Sequence, residues 1–443
     1  MNRLSGYALS QAEKLGAGET EVYVSHTREL SIEVRNRKVE TLKEASSSGM
    51  GIRVFRQGRM GFAYTSVLTE TGVLEAARAA VAASDYTGQD DFGGLPDPDS
   101  MPYPEVEYDP EIAGTSADQK IGQTLAMEEA ARSRDPRIRV IESCGYEDVL
   151  GESHIVSSRG VEVSSQAAYC GIYTALLAEE EGRQETGFAM NFKRRYGDLD
   201  FSSVGIRAAD KALGMLGAGS TATRKIPLIL DPHSACSLLG VLSSSFSGEN
   251  VLKGKSLLAG RVGEEVMSPA VTIVDDGALP GGVVSACADA EGLPTRRNVL
   301  VDAGRVRGFL HNTYTARRSG TVSTGSAQRS GYSGIPGVGI TNFFLEPGKR
   351  SEKDLIASVP DGLYVTDLMG VHTANPVTGD FSLGASGLLI VNGQLAGPVR
   401  GVMVSGNLLN LFGQIREVAD NLEFFAGTGS ASVLTGPVTV SGD

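Results

Sequence analysis

The chain has 443 residues, of which 41% are hydrophobic and 21% are charged. This length suits two or three domains and a core large enough to fold without disulfides or metal. The net charge of -13 argues against nucleic acid as a direct partner, because a surface that binds phosphates needs an excess of Lys and Arg.

The cysteines and the apolar runs predict a cytoplasmic protein. None of the four cysteines lies in a C-x-x-C pair, a pattern more typical of a reducing compartment than of a disulfide framework. The first residues lack the apolar core of a signal peptide, and no apolar run approaches the ~20 residues that span a bilayer. The basic run Lys193, Arg194 and Arg195 is expected to be solvated.

In chain order, a first amphipathic helix contains Leu4, Ala8 and Ala12 on one face. Residues 21–65 then alternate apolar and polar, which predicts an antiparallel meander of about four strands. Helical spacing returns over residues 68–84, and four prolines in residues 93–109 predict a loop.

A second group of elements follows this loop. A helix is predicted over 115–133 with Ser116 as its cap, then strands over 139–190 and a helix over 201–216. The small polar segment 217–223 marks the predicted boundary between an N-terminal domain, residues 1–222, and a C-terminal domain, residues 223–443. No internal repeat is apparent.

The C-terminal domain is predicted to begin with a strand that runs directly into a helix. After the apolar residues 226–230, Asp231 is placed to cap the helix and Pro232 to occupy its first position. Gly248 is expected to end it. The apolar residues at helical spacing are Ala235, Leu238, Leu239, Leu242 and Phe246. Its remaining face is mostly serine and glycine.

Short strands and glycine turns predominate in the rest of the chain. Asn392-Gly393 is a typical hairpin turn, residues 307–332 look like a mobile surface loop, and residues 408–418 are expected to form a late helix. The predicted fold class is therefore α+β, with an N-terminal α/β domain of antiparallel strands and a β-rich C-terminal domain.

Few residue clusters suggest chemistry. His233 and Cys236 lie on one helical face and are weak candidate metal ligands, since no third ligand or general base lies within ten residues. The commoner roles for such residues are a helix-start His and a small buried Cys. Asp275-Asp276 and Asp289 with Glu291 suggest either an acidic cluster or turns and interdomain ion pairs.

Several short segments, in this order, resemble the TldD/PmbA family and most closely its PmbA (TldE) branch. They are Gly-Met-Gly-Ile-Arg-Val-Phe at 49–55, Gly-Phe-Ala-Tyr-Thr at 61–65, residues 289–298, Tyr-Thr-Ala at 314–316, residues 379–387 and Gly-Asn-Leu-Leu at 406–409. The resemblance implies an α+β dimer that takes part in cytoplasmic proteolysis of unfolded or extended peptides. It also implies that PmbA-type and TldD-type subunits pair around an enclosed cavity.

In that family the TldD-type subunit holds zinc through H-E-x-x-x-H and a later Cys. Aligned on residues 247–249, that motif falls on residues 239–244 of this chain, where Leu239 and Ser244 replace the two His and Gly240 replaces the Glu. No Cys follows Cys287. The departures predict no catalytic residue and no metal in this chain, with zinc expected in a TldD-like partner.

The leading hypothesis is a non-catalytic subunit that completes a cavity with a TldD-like partner and helps hold the peptide. The loop before Phe381 is a candidate cavity wall, which makes the following residues predicted substrate contacts: His372, Asn375, Asp380, Phe381 and Ser382. Two alternatives remain: a homodimeric peptide-binding or regulatory protein, as the family's DNA gyrase modulator label suggests, or a peptidase with a non-standard metal set such as His233, Cys236 and His372.

Overall fold

A six-stranded antiparallel sheet, here called the N-terminal sheet, forms the first half of the molecule. The structure is a computed structural model that describes residues 2–442. The strands lie in the order β3-β2-β1-β4-β5-β6. They are β1 (Glu19–Arg35), β2 (Lys38–Arg56), β3 (Arg59–Thr65), β4 (Ile138–Ser157), β5 (Glu162–Glu180) and β6 (Arg183–Lys193).

The predicted meander over residues 21–65 has three strands, so the expectation of about four was wrong. The polar stretch around Thr27 does not interrupt β1, because Thr27 pairs with Ser47 of β2 on one side and Gly151 of β4 on the other. A strand in the middle of a sheet has its backbone hydrogen bonds satisfied on both sides, which holds a polar segment extended.

Among the described residues of this half, five α-helices form: α1 (Asn2–Lys14), α2 (Glu70–Ser84), α3 (Pro110–Gly114), α4 (Ala117–Ser133) and α5 (Phe201–Met215). As predicted, Ser116 caps α4, and it forms a capping box with Gln119. One hydrophobic core joins α1 and α2 to β1 and β2, and a second joins α4 and α5 to β4 and β5. The helices therefore cover one face of the sheet.

The sheet and its helices form an internal repeat that the sequence does not make apparent. The repeated unit is a helix, three antiparallel strands and a second helix. It occurs first as α1-β1-β2-β3-α2 and then as α4-β4-β5-β6-α5, and the two units meet where β1 pairs with β4. Gly61 of β3 and Gly187 of β6 occupy matching places. A Cβ on Gly61 would collide with Ala80 of α2, and one on Gly187 with Ala208 of α5.

The C-terminal half contains two further six-stranded sheets. The long C-terminal sheet has the order β16-β15-β14-β7-β20-β17, and β16 also pairs with β20. Its strands are β7 (Arg224–Leu230), β14 (Asp361–Met369), β15 (Asp380–Val391), β16 (Gln394–Asn407), β17 (Ile415–Val418) and β20 (Val433–Ser441). As predicted, Asn392 and Gly393 turn the β15–β16 hairpin, both with positive φ.

The short C-terminal sheet has the order β10-β9-β8-β13-β19-β18, and a separate two-stranded pair lies beside it. Its strands are β8 (Ile273–Asp276), β9 (Arg297–Asp302), β10 (Arg305–Val306), β13 (Phe343–Leu345), β18 (Glu423–Phe425) and β19 (Thr428–Ser430); the pair is β11 (Ala327–Gln328) and β12 (Gly337–Val338). The helices are α6 (Pro232–Ser243), α7 (Gly248–Leu252), α8 (Thr313–Ser319), α9 (Glu352–Ala357) and α10 (Leu408–Gly413).

The structure confirms the α+β class and corrects three local expectations. Residues 307–332 are not a surface loop, because they contain α8 and β11 and several fully buried side chains. The late helix ends at Gly413, and residues 415–418 form β17 instead. The basic run is not wholly solvated: Arg194 is 3% exposed and donates to the carbonyl oxygens of Ser285 and Glu107.

The predicted domain boundary at residues 217–223 lies between α5 and β7 and stays a prediction. None of the helices within residues 2–442 is long and apolar enough to cross a membrane.

A buried ion network joins the C-terminal half to the helix-free face of the N-terminal sheet. Arg53 of β2 donates to Glu21 of β1 at 2.6 Å and to Glu291 at 3.2 Å. Arg329 also pairs with Glu21, donates from Nε to Ala290 at 2.8 Å, and lies over the ring of Tyr23. Burial alone raises the pKa of Glu21, but the two guanidinium groups hold that pKa below its usual range.

Removing one member of this network leaves a charge buried without its partner. We therefore expect Arg329→Met to lower the free energy of unfolding by about 3–5 kcal/mol. Arg416→Met is the matched control, since Arg416 is exposed, and it should change stability by less than about 0.5 kcal/mol. Urea unfolding of both variants measures the difference; equal midpoints would show that the network does not hold the two halves together.

Candidate functional site

Helix α6 lies at the centre of the C-terminal half. Its start is as predicted: Asp231 accepts a hydrogen bond from the backbone N–H of Ser234 at 2.7 Å, and Pro232 is the first helical residue. The end is different. The helix stops at Ser243, a 3-10 turn covers Ser244–Phe246, and Gly248 begins α7 instead of ending α6. A Cβ at Gly248 would collide with the His311 ring, so glycine is required there for packing.

The three positions that would carry H-E-x-x-x-H have no metal-binding or proton-transferring side chain. Leu239 is 1% exposed and belongs to the core that α6 shares with the C-terminal sheets. Gly240 is partly exposed, and space is open where a side chain would begin. The Ser244 hydroxyl donates to Val241 O at 3.3 Å. None of these three residues is a His, Cys, Asp or Glu, the residues whose side chains bind zinc.

The weak metal candidates do not assemble with His372. Within the described range 2–442, no group of three or more His, Cys, Asp or Glu side chains is placed to hold a metal ion. The Cys236 thiol lies 3.6 Å from Thr428 O, and burial raises its pKa, which keeps it protonated. The His233 ring packs edge-on against Phe425 with centroids 4.9 Å apart. Burial, and then the nearby Lys211, lower the pKa of His233.

The predicted substrate contacts lie in and beside a loop between β14 and β15. His372, Asn375, Asp380 and Ser382 are exposed, whereas the Phe381 ring is 6% exposed and packs in the C-terminal core. Asn375 accepts from two backbone N–H groups of its own turn. A hydrogen bond from Asn407 holds the pKa of Asp380 below its usual range. Substrate binding by this set stays a prediction.

The two acidic pairs have structural contacts. Asp275 accepts from the backbone and the hydroxyl of Thr341, and burial raises its pKa to about 6. Asp289 accepts hydrogen bonds from the backbone N–H groups of residues 291, 293 and 327. Glu291 belongs to the buried ion network described above. These contacts agree with one of the two interpretations of the acidic pairs, that they form turns and ion pairs between the two halves of the molecule.

A cleft that sequence reasoning missed opens at the N-terminal end of α6. It has a volume of about 740 Å³ and lies between β6 and α5 on one side and β14, β15 and β16 on the other. A smaller recess of about 170 Å³ continues from it toward α9 and β18. Six segments spread over more than 200 residues form the walls, so no local pattern could have indicated it.

Three family models match successive parts of the chain. Residues 20–84 match PmbA/TldA metallopeptidase domain 1, residues 110–216 match the central domain, and residues 223–442 match the C-terminal domain.

Relatives and solved structures match over nearly the whole length. The metalloprotease PmbA of Escherichia coli O157:H7 is 28% identical over 98% of this chain and 95% of its own. The crystal structure of TldE from Thermococcus kodakarensis superposes with a TM-score of 0.92 at 26% identity, covering 99% of this chain and all of that one. A candidate modulator of DNA gyrase from Thermotoga maritima gives a TM-score of 0.91 at 27% identity, with 99% and 100% covered.

The buried cap of α6 predicts a pH dependence. Burial raises the pKa of Asp231 to about 6, so the folded protein holds this proton more tightly than the unfolded chain does. The associated stability is present below pH ~4 and is lost as pH rises through 6. Asp231→Asn keeps the cap and cannot ionise. The unmodified protein should therefore lose stability between pH 4 and pH 7 that the variant does not lose. The difference between their free energies of unfolding should shift in favour of the variant by up to about 3 kcal/mol over this range.

Chemical unfolding at several pH values measures this difference. Asp200→Asn is the matched control, because Asp200 caps α5 in the same way but is exposed. A difference between the Asp231→Asn variant and the unmodified protein that is the same at pH 4 and pH 7 would contradict the assignment.

Proposed function

The chain belongs to the PmbA/TldD metallopeptidase family, and from this premise we propose that it is the PmbA/TldE-type subunit of a TldD/TldE-type metalloprotease and is itself non-catalytic. The single observation that carries the proposal is the set of side chains at the zinc-motif positions, on α6 and at the start of the 3-10 turn that follows it. Leu239, Gly240 and Ser244 offer neither two nitrogen ligands nor a carboxylate base.

A zinc peptidase needs both kinds of group. Three protein ligands hold the ion in an open site, and the base takes a proton from the water that attacks the peptide carbonyl. On this proposal the TldD-like partner supplies zinc and base, and this chain has kept the helix, its cap and its packed face. The intact core around α6 supports a role that needs the shape of the site without its metal.

The proposed task of the chain is to complete a cavity with its partner and to hold an extended peptide. Such peptides commonly add a strand to a sheet edge, where main-chain hydrogen bonds give affinity. β18 and β10 are the outer strands of the short C-terminal sheet. The loop that contains His372, Asn375, Asp380 and Ser382 is the proposed wall beside the peptide.

We also propose that this complex is cytoplasmic. The four cysteines are free, and burial raises the pKa values of Cys144, Cys170 and Cys236. Unpaired thiols of this kind suit a reducing compartment.

The proposal is tested with the isolated chain and with a TldD-like protein from the same organism that carries H-E-x-x-x-H. We expect substoichiometric zinc and no cleavage of unfolded peptides by the isolated chain, and cleavage after the two are mixed. Replacing a His in the partner's motif should abolish activity, whereas Ser244→Ala in this chain should preserve it. Zinc content by mass spectrometry and cleavage by chromatography are the readouts.

Stoichiometric zinc in the isolated chain that disappears in the His233→Ala variant would contradict the proposal and support a non-standard metal site. A stable homodimer that never gains activity with a TldD-like protein would instead support the regulatory alternative.

A further inference from the structure

The cleft at the start of α6 has the chemistry of a binding site that is distinct from the zinc-motif positions. Those positions lie at the middle and end of α6, two to three helical turns from His233. Phe188, Lys211, Asp231, His233 and Tyr364 line both the main cleft and its recess, so the two form one continuous space. A volume of about 740 Å³ lies in the range of small-molecule and side-chain sites.

The side chains that line the cleft and its recess include more carboxylates than cations, and two of these carboxylates have no cationic partner. Three acids on the walls are neutralised: Glu185 by Arg400 at 2.5 Å, Asp210 by Arg134 at 2.6 Å and Glu423 by Arg207 at 3.5 Å. Among the described residues, Asp367 and Glu352 pair with no Lys, Arg or His, although both line the cleft or its recess.

Hydrogen bonds to the cleft acids leave capacity for a ligand. Glu352 Oε1 accepts from the hydroxyls of Tyr364 and Ser432, each at 2.6 Å, whereas its Oε2 makes no hydrogen bond within residues 2–442. Asp367 is exposed at the cleft and accepts no hydrogen bond there. Asp231 is 5% exposed, and its Oδ2 lies 4.0 Å from Lys211 Nζ, beyond hydrogen-bond distance.

Aromatic rings supply the other half of the site. The His233 ring lies near two phenylalanine rings, with centroids 4.9 Å from Phe425 and 6.4 Å from Phe188, and all three rings line the recess with Tyr364. Burial, followed by Lys211, lowers the pKa of His233, so this ring is neutral at pH 7 and adds no positive charge. Ring faces beside unpaired carboxylates recognise cations on organic stems.

We propose that this cleft binds an organic cation of a peptide, an alkylammonium or a guanidinium, with the charged head toward Asp367 and Glu352 and the aliphatic stem against Phe188 and Phe425. The inference rests on the proposed function for the claim that the ligand is a peptide. The cleft's own residues supply the preference for a positive charge.

An anionic ligand fits the cleft less well. Arg207 and Arg400 are already paired with acids, which leaves Lys211 as the one cation on the walls able to meet an anion within residues 2–442. Its Nζ faces Asp231, the acid closest to it. The positive charge of Lys211 therefore repels a cationic ligand. Removing this charge tests whether the ligand is a cation or an anion.

The experiment measures binding of short peptides to the full chain by isothermal titration calorimetry. Three N-acetylated, C-amidated peptides carry Lys, Glu or the uncharged isostere norleucine at the centre of otherwise glycine and alanine residues. A fourth peptide has norleucine at the centre and a free N-terminal amine. We expect the Lys peptide to bind about tenfold more tightly than its norleucine counterpart, and the Glu peptide to bind most weakly.

Two variants and a control locate the effect. Asp367→Asn should reduce the preference for Lys over norleucine to about twofold or less, because it removes an unpaired carboxylate. Lys211→Met should strengthen binding of the Lys peptide, since a like charge is removed. Asp91→Asn, in an exposed segment outside the cleft, should change neither affinity. Thermal unfolding of each variant confirms that the fold is retained.

Stronger binding of the free-amine norleucine peptide than of its acetylated form would identify the peptide N terminus as the cation, and a preference for the Lys peptide alone would identify a side chain. Both results support the proposal. Equal affinity of the acetylated norleucine peptide and of both amine-bearing peptides, tighter binding of the Glu peptide, weaker binding of the amine-bearing peptides by the Lys211→Met variant, or no binding of any peptide would overturn it. Because these measurements use neither zinc nor a partner, their failure leaves the test of the metalloprotease subunit unaffected.

Discussion

Two guanidinium groups and two carboxylates lie buried where the C-terminal half meets the N-terminal sheet, and the arrangement of the whole molecule depends on them. Charges on the strands of a sheet normally face water, because burial without a partner is costly. Here Glu21 and Arg53 share the helix-free face and are covered by Glu291 and Arg329. The two halves must dock in a single register for every charge to find its partner, and that register sets the walls of the cleft between β6 and the long C-terminal sheet.

The internal repeat explains how one sheet serves both halves. Each unit places a glycine and then a phenylalanine on its outer strand, as Gly61-Phe62 and Gly187-Phe188. In the first unit, the C-terminal half covers this region, since Tyr332 packs against Gly49 and Tyr64. In the second unit, Phe188 is left at the open cleft near His233. The matching Gly-Phe positions thus lie beside a contact with the C-terminal half at one end of the sheet and beside the proposed binding cleft at the other.

Local chemistry could be predicted from the sequence, and distant pairing could not. The caps of α4 and α6 and the Asn392-Gly393 turn each depend on a few neighbouring residues. Arg329 and Arg194 looked like ordinary surface cations because their partners lie far away in the chain. The cleft was missed for the same reason, since Lys211, Glu352 and Asp367 come from three separate elements. The repeat escaped notice because its two units share geometry more than sequence.

We propose that α6 retains the place of the family's zinc-binding helix, whereas the zinc and its chemistry belong to a partner. Anomalous X-ray diffraction at the zinc edge from crystals of the complex with a TldD-like protein tests this most directly. We expect one zinc peak for each pair of subunits, at the partner's H-E-x-x-x-H helix, and none near Gly240 or His233 of this chain. A zinc peak bound by side chains of this chain's α6 would contradict it.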